Sequence, residues 1–485
     1  MTIAARLDDT AVPELVLTGS GPRPDSAALV GRRARVDARV SGDGTTWTVR
    51  FPLEAARWGG APRPLPTGDY ALELIAAGGE GLAVAAEVPD TMTATLRAGL
   101  HSGILRVRPP IDPAYETGEG QAALERRYAT RPQGLENAVF FESFSGLGAS
   151  CNPRAIDREL ARVAPGVTRY WSVVDLSVEV PEGAIAVVEG SPSWWRARGA
   201  ARLLVVNDWL RRRYERRRGQ VVLQTWHGTP LKRLALHRPG FDPRRMLAVV
   251  RESRRWDVLL AQNAFGERVM RKAYAFLRRP VWVEGYPRND AVVSAAPGPL
   301  RAALGIAADE RVILYAPTWR DDREEMVDHL DPARLAADTG AVVLVRGHSR
   351  TLLPGRDVRG ARVLDVTTYP DMSDLLVVAD TLVTDYSSVM FDFTATGKPI
   401  HFFTPDLEHY REDLRGFYFD LAAHAPGPLS TTQDELTATL ADDSIAAEYA
   451  QQYARWQSRF NARDDGHAAE RVVARILDQG FVDRA

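Results

Sequence analysis

The fold is indicated most clearly by the stretch Val221-Val-Leu-Gln-Thr-Trp-His-Gly-Thr-Pro-Leu-Lys232. Its first four residues read as a buried strand, which passes directly into a polar loop. Thr229 is a favourable N-cap and Pro230 suits a first helical turn, so we expect a helix to begin there. His227 would then lie at the carboxyl end of a strand, beside a helix N-terminus whose free N–H groups attract an anion.

The same strand-to-helix pattern recurs on both sides of this stretch. The strands that we expect are residues 137–141, 169–174, 184–188, 203–206, 221–224, 258–261 and 281–283, followed by 311–316, 341–346, 362–365, 381–384 and 399–403. Strands that alternate with helices predict parallel sheets built from right-handed βαβ units. We therefore predict an α/β protein with two Rossmann-like domains that face a cleft, with ligands at the carboxyl ends of the strands.

The first part of the chain has a different pattern. Short runs with two-residue alternation, such as Thr45–Phe51 and Tyr70–Ile75, are separated by Gly, Pro and Asp. This predicts a small antiparallel β-sandwich. The expected organisation is an all-β domain over residues 1–115, a linker over 116–136, an N-terminal Rossmann-like domain over 137–295, and a C-terminal one over 296–485.

Composition excludes several classes of protein. The 485 residues include 61 Lys+Arg and 63 Asp+Glu, and the resulting charge of −2 gives no general support for nucleic-acid binding. A single cysteine excludes a disulfide framework and any Cys-rich metal site. Apolar runs are too short for a membrane span, and residues 1–10 lack the apolar core of a signal peptide. We expect a soluble or peripheral cytoplasmic protein.

His227 has two readings from the residues alone. A histidine with an ordinary pKa near ~6.5 accepts a proton from an alcohol near neutral pH, and Gly228 lets a ligand approach the backbone closely. Alternatively, His227 is a structural histidine that caps or packs.

Further polar groups follow other expected strands. Thr318 and Arg320 follow the strand 311–316, and Arg346 and His348 follow the strand 341–346. Arginine binds phosphate in a forked geometry, and the alternative for Arg320 is a surface pair with Asp321. The two histidines lack an obvious third metal ligand, so we interpret them as acid–base and phosphate-binding groups.

Residues Asp385-Tyr-Ser-Ser388 open the next expected helix, which ends at Gly397. Ser387 and Ser388 supply hydroxyls at a helix N-terminus, where phosphate binds readily. Asp385 either binds a polyol hydroxyl or is an ordinary N-cap. The chain has neither a Walker A sequence nor a Gly-x-Gly-x-x-Gly loop. The residues therefore predict a transferase that uses a nucleotide-diphosphate substrate and that does not require a metal.

Several motifs resemble the CDP-glycerol glycerophosphotransferase family of teichoic acid synthesis. They are Phe141-Glu-Ser-Phe-Ser-Gly146, Asn152-Pro-Arg-Ala-Ile156, Trp226-His-Gly-Thr-Pro-Leu-Lys232, Glu284-Gly-Tyr-Pro-Arg-Asn-Asp290, Tyr315-Ala-Pro-Thr-Trp-Arg-Asp321, Thr384-Asp-Tyr-Ser-Ser-Val-Met-Phe-Asp392 and Arg415-Gly-Phe-Tyr-Phe-Asp420. They occur in the family's order and cover residues 137–475, leaving out residues 1–115. His348 is followed by Ser349, where many relatives have proline.

The resemblance implies a GT-B fold, an acceptor-binding first Rossmann-like domain and a CDP-donor-binding second one. It implies transfer of glycerol phosphate from CDP-glycerol to a lipid-linked or polymeric polyol-phosphate acceptor, with peripheral attachment to the inner membrane leaflet. By this resemblance His227 is the general base and His348 the second essential histidine. The expected substrate- and donor-binding residues are Gly228, Thr229, Lys232, Arg288, Asn289, Thr318, Arg320, Arg346, Asp385, Ser387 and Ser388. No cofactor, metal or nucleic acid is expected.

Several alternatives stay open at this point. Within the family they are a primase, a polymerase and a CDP-ribitol-dependent transferase. Outside it they are a nucleotide-sugar glycosyltransferase of the same fold and a non-catalytic polymer-binding protein. The arginine-rich residues 211–255 either contact anionic lipid or polyphosphate, or form a solvated helix face.

Overall fold

The computed structural model describes residues 3–9, 12–43, 45–131, 134–318, 329–347, 362–411 and 416–484. The chain divides into two compact units. The first consists of residues 1–133, 145–149 and 170–199, and the second of residues 134–144, 150–169 and 200–485. The boundaries expected from the sequence at residues 115, 136 and 295 stay predictions.

Residues 3–131 form short strands followed by two helices. They are β1 (Ile3–Asp8), β2 (Glu14–Ser20), β3 (Pro24–Gly31), β4 (Arg35–Asp37), β5 (Arg39–Gly42), β6 (Thr46–Pro52), β7 (Glu54–Ala55), β8 (Arg63–Pro64), β9 (Gly68–Ala76), β10 (Val88–Met92), β11 (Arg97–His101), β12 (Ile104–Arg108), α1 (Pro113–Glu116) and α2 (Gly118–Thr130). The strands form antiparallel sheets in the orders β1-β2-β6-β5 and β10-β11-β12-β9-β3-β4, with a β7-β8 pair.

These antiparallel sheets share one hydrophobic core. Trp47, Val49 and Phe51 alternate along β6 and are buried, and they belong to the same core as Leu29 of β3 and Leu105 of β12. The expected all-β N-terminal region is confirmed. The expected linker over residues 116–136 contains the helix α2.

Strands and helices follow one another between residues 134 and 294. They are β13 (Glu136–Glu142), α3 (Cys151–Val163), β14 (Thr168–Val173), β15 (Ile185–Val188), α4 (Pro192–Ala200), β16 (Ala201–Val206), β17 (Val221–Gln224), α5 (Pro243–Ser253), β18 (Val258–Ala261), α6 (Ala264–Ala273), β19 (Val281–Val283) and α7 (Asn289–Ser294). Only β14–β15 and β16–β17 are consecutive strands. In the second unit the strands lie in the order β13-β16-β17-β18-β19, and every neighbouring pair is parallel. In the first unit, β14 pairs in parallel with β15.

A second parallel sheet follows in the second unit. Its elements are α8 (Gly298–Ala303), β20 (Val312–Ala316), α9 (Pro332–Thr339), β21 (Val342–Val345), β22 (Val363–Asp365), α10 (Met372–Val378), β23 (Thr381–Thr384), α11 (Val389–Phe393), β24 (Ile400–Phe403), α12 (Leu407–His409), α13 (Leu421–His424), β25 (Leu429–Ser430), α14 (Gln433–Ala441), α15 (Ile445–Phe460) and α16 (Ala468–Asp478). The strand order is β22-β21-β20-β23-β24-β25.

Both parallel sheets confirm the predicted α/β class. Each expected strand lies within about two residues of an observed one, because continuous Val, Ile and Leu runs are typical of strands that are covered on both faces. The helix that begins after Ser388 continues as a 3₁₀ turn and ends at Gly397, as expected, with a left-handed φ of 75°. None of the helices in the described ranges combines the length and the apolar composition needed to span a bilayer.

The buried His401 of β24 is expected to make the stability of the fold depend on pH. Burial, assisted by the nearby Arg311 charge, lowers the pKa of His401 from 6.5 to about 4. The folded chain therefore binds fewer protons here than the unfolded chain between these two pH values. The stability from this group is complete above pH 6.5 and is lost as the pH falls toward 4.

We expect the His401→Gln variant to lack this dependence. Lowering the pH from 7 to 5 should reduce the unfolding free energy of the wild type by about 2 kcal/mol more than that of the variant. Urea unfolding at both pH values measures this difference. An equal pH dependence in the two proteins would show that His401 does not titrate as described.

Candidate active site

His227 lies directly after β17, as its position in the sequence predicted. Its Nδ1 is 2.6 Å from the carbonyl oxygen of Asn207, the residue that follows the neighbouring strand β16. A carbonyl only accepts hydrogen bonds, so Nδ1 carries the proton and donates it. In the neutral ring, Nε2 is then the unprotonated nitrogen, which is the arrangement that a general base requires.

The surroundings of His227 favour the neutral ring. Burial lowers its pKa below the ordinary value of 6.5. The bond to Asn207 and the charge of Asp208 act in the opposite direction, whereas the charge of Arg288 lowers the pKa further. The net shift is downward, so His227 is neutral at pH 7 and its Nε2 is available to accept a proton.

Two aromatic rings hold the imidazole. Trp226 stacks on it with centroids 4.6 Å apart and an interplanar angle of 21°, and Phe144 lies 5.7 Å away. Both aromatic residues have left-handed backbones, with φ values of 52° and 46°. A non-glycine residue held in this region is strained by about 1–3 kcal/mol, and such strain concentrates at functional sites.

The helix expected to begin at Thr229 is absent, and that prediction was wrong. The chain stays extended because it bonds to residues 416–418: Tyr418 N donates to Leu231 O, and Arg233 N donates to Gly416 O. Thr229 is buried, donates to Gln262 Oε1 at 2.5 Å, and accepts from Asn263 Nδ2 at 3.0 Å. No helix N-terminus lies at His227.

Lys232 lies farther along this extended segment. It is partly exposed, and its Nζ is 5.7 Å from the centre of the Tyr410 ring. Its backbone forms an isolated bridge with Phe417.

Gly228 brings the His227 loop against the segment that follows β23. A Cβ placed on Gly228 would lie 2.5 Å from Ser388 Oγ and 2.8 Å from Ser388 Cβ. Ser387 and Ser388 are partly exposed and immediately precede α11. The two parallel sheets of the second unit therefore meet here through a close contact that only glycine permits without a shift.

Arg288 connects three parts of this site. Its Nη1 donates to the His227 carbonyl at 3.0 Å and to Cys151 Sγ at 2.9 Å, and its Nη2 donates to Asp392 at 2.7 Å. Burial alone would lower the pKa of Arg288, but the Asp392 carboxylate is the main group that outweighs it, and the net shift is upward. Arg288 is therefore a permanent cation. Its neighbour Asn289 is fully buried in the first turn of α7.

The remaining described candidates lie in the second parallel sheet. Asp385 is buried and accepts from the backbone N–H of Thr318 at 2.9 and 3.0 Å, so it joins the loops that follow β23 and β20. Arg346 follows β21 and donates to the carbonyls of Val366 and Tyr369 at 2.7 and 2.5 Å. Burial lowers its pKa to about 10. Arg320 and His348 lie outside the described residues.

Some of the residues around His227 were not identified from the sequence. Asn207 and Asp208 follow β16 just as His227 follows β17, and this strand-end position was the available signal. Asn152 opens α3, and its Nδ2 donates to the carbonyls of Thr225 and Trp226. Asp392, which ends one of the quoted motifs but was not expected to be a site residue, pairs with Arg288.

A neutral histidine beside a hydroxyl-bearing loop, at the strand ends of two parallel sheets, indicates an α/β group-transfer enzyme. A family model described as CDP-Glycerol:Poly(glycerophosphate) glycerophosphotransferase matches residues 126–478. The chain therefore belongs to the CDP-glycerol:poly(glycerophosphate) glycerophosphotransferase family.

Two curated relatives and one solved structure show the extent of the similarity. The Bacillus subtilis teichoic acid poly(glycerol phosphate) polymerase is 35% identical over 372 residues, which are 72% of this chain and 50% of that protein. The Staphylococcus aureus teichoic acid glycerol-phosphate transferase is 33% identical over 379 residues, which are 70% of this chain and 93% of that protein. The structure of the wall teichoic acid polymerase TagF matches with a TM-score of 0.68 and 30% identity, covering 74% of this chain and 94% of that chain. The chain thus spans half of the first relative and nearly all of the second.

The close contact between Gly228 and Ser388 can be tested by mutation. Gly228→Ala forces its new methyl group into Ser388 and should destabilise the protein by about 1–3 kcal/mol. Adding Ser388→Gly removes the opposing atoms and should recover most of this loss. Thermal unfolding of the two single variants and the double variant gives the coupling energy.

Gly298→Ala is the matched control, because no atom beyond its chain neighbours and its own helix backbone lies within 4 Å of its Cβ position. It should leave the unfolding midpoint nearly unchanged. If the losses of Gly228→Ala and Ser388→Gly are simply additive, the described contact is wrong.

Proposed function

We propose that this protein transfers glycerol phosphate from CDP-glycerol to a hydroxyl of a polyol-phosphate acceptor and releases CMP. The observation that carries the proposal is the neutral His227, whose proton is held on Nδ1 by Asn207 and whose Nε2 is left as a base. Membership of the family supplies the donor class. The names of the relatives, a poly(glycerol phosphate) polymerase and a glycerol-phosphate transferase, support a polymeric glycerol-phosphate acceptor.

In the proposed step, an acceptor hydroxyl oxygen attacks the β-phosphorus of CDP-glycerol. A new phosphorus–oxygen bond forms, and the bond to the bridging oxygen breaks, so that CMP leaves with the bonding electrons. His227 Nε2 takes the hydroxyl proton, an effect worth ~10²–10⁴ in rate. Ser387 and Ser388 bind the diphosphate, and Arg320, Arg346 and His348 are assigned from the sequence to neutralising the departing charge.

The proposed arrangement is GT-B-like. The sheet that carries His227 would bind the acceptor, and the sheet that carries Ser387 and Ser388 would bind the CDP donor. The Gly228–Ser388 contact supports it, because it brings the two strand-end loops together. The reaction remains a phosphoryl transfer, whatever sugar chemistry other proteins of this fold perform.

We further propose peripheral attachment to an anionic membrane surface. Helix α5 has an exposed face that carries Leu247, which is 63% exposed, between Arg244 and Arg251, and Phe241 before the helix is 85% exposed. Apolar groups flanked by arginine are typical of helices that lie in an anionic interface. Residues 211–218 form no helix, so the alternative of a solvated helix face does not apply to them.

The reaction is tested by CMP release from CDP-glycerol and a lipid-linked glycerol phosphate acceptor, with and without EDTA. We expect His227→Gln to reduce turnover by about 10²–10⁴, with His101→Gln of the N-terminal region as the control. Unchanged turnover in a folded His227→Gln variant would exclude His227 as the general base. Full loss with EDTA would overturn metal independence.

The donor is tested in parallel with CDP-ribitol and UDP-sugars. CMP from CDP-ribitol alone would identify a ribitol phosphate transferase. UDP from a UDP-sugar would identify a glycosyltransferase, and no product from any donor would favour a binding protein.

The pH dependence follows from the lowered pKa of His227. The base must be unprotonated, so the acid limb of kcat/KM should have its half-maximal point below pH 6.5, the ordinary value for histidine. A half-maximal point at or above pH 6.5 would contradict the described surroundings of His227.

Membrane attachment is tested by co-sedimentation with phosphatidylglycerol vesicles. The double variant Phe241→Ser, Leu247→Ser should bind at least about tenfold more weakly, and Met92→Ser, an exposed apolar site in the N-terminal sheets, should bind like the wild type. Equal vesicle binding by the wild type and both variants would exclude the surface around Phe241 and Leu247 as the membrane-binding surface.

A further inference from the structure

A buried ion pair lies behind the candidate active site. Arg288 and Asp392 are joined at 2.7 Å, and their side chains are only 10% and 7% exposed. Arg288 immediately precedes α7, which follows the last strand of the first parallel sheet. Asp392 lies in α11, which follows β23 of the second.

Most hydrogen-bond donors of the Arg288 guanidinium are directed at other groups of the protein. Of its five N–H donors, three are directed to Asp392, Cys151 Sγ and the His227 carbonyl. Its backbone N–H donates to Asn152 Oδ1 at 3.3 Å, and Asn152 holds the carbonyls just before His227. Arg288 is thus bonded to the His227 loop both directly and through Asn152.

Stability alone is a weak reason for such a pair. Removing two charges from water is costly, and apolar residues often replace a buried pair without loss. Asp392 lies four residues after Ser388 in the same short segment. The ion pair therefore sets the distance between two parts of the candidate site. These are the His227 loop and the Ser387–Ser388 segment.

We propose that Asp392 is a positioning residue which, through Arg288, holds the base His227 in register with the Ser387–Ser388 phosphate-binding segment. The inference rests on the proposed function and deepens it: one ion pair sets the distance between the proton acceptor and the diphosphate. Arg288, which the sequence suggested as a donor-binding residue, acts mainly through His227. A displacement of about 1 Å at such a site costs about 10²-fold in rate.

The first test compares steady-state kinetics of Asp392→Asn, Asp392→Glu and the wild type. Asp392→Asn should lower kcat by about 10²-fold while KM for CDP-glycerol changes less than about threefold, because alignment is lost and binding is kept. Asp392→Glu keeps the charge and should recover part of kcat. The control is Asp157→Asn, which breaks another buried pair, Arg169–Asp157, at 3.0 Å and should affect stability but not kcat.

The second test does not depend on activity. Histidine-selective NMR titration, with the His227 signal assigned from His227→Gln, follows its pKa in each variant. Asp392→Asn leaves the Arg288 charge uncompensated and should lower the pKa of His227. Arg288→Gln removes that charge and should raise it, whereas Asp157→Asn should leave it unchanged. Asp208, the other charge acting on His227, is the same in all three variants.

Opposite pKa shifts from the two ends of the pair, together with a selective loss of kcat, would support the positioning role. If both variants leave the pKa of His227 unchanged, or if Asp392→Asn lowers kcat only as much as Asp157→Asn, the inference is wrong. Should Asp392→Asn fail to fold, Arg288→Gln and Asp392→Glu decide the same question. A wild type that releases no CMP would overturn the proposed function, while the pKa shifts would still decide whether the pair positions His227.

Discussion

Burial of the parallel strands on both faces is the constraint that organises the second unit. Strands such as β18, β20 and β21 carry almost exclusively apolar side chains and are buried along their whole length. Polar side chains are therefore found where the strands end. His227, Asn207, Asp385, Arg346 and Thr318 all follow strand ends, and the two sheets bring several of these ends together.

Within that frame, hydrogen bonds to the backbone determine what the polar groups do. Asn207 accepts from His227 Nδ1 through its main-chain carbonyl, and this bond sets the tautomer. Arg288 reaches the carbonyl of His227, and Asp385 holds the backbone N–H of Thr318. The positions of the groups around His227 thus depend largely on hydrogen bonds to main-chain atoms. The side chains that form these bonds are largely buried.

The sequence predicted what depends on local pattern and missed what depends on distant partners. Runs such as Val342–Val345 specify a covered strand by composition alone, and Gly397 marks a helix end because it tolerates a left-handed backbone. The helix expected after Thr229 failed because residues 416–418, nearly 190 positions away, pair with that segment. The Arg288–Asp392 pair is equally non-local. In the N-terminal region, β3 begins with Pro24 and lacks clear alternation, so its pairing with β9 and β4 defines it.

The central claim is that His227 is a neutral base with its proton on Nδ1. The most direct measurement is the nitrogen-15 chemical shift of both ring nitrogens of His227 at pH 7, assigned by comparison with His227→Gln. The structure predicts a protonated Nδ1 and an unprotonated Nε2. A ring protonated on both nitrogens, or on Nε2 alone, would contradict the bond to Asn207 and with it the assignment of His227 as the base.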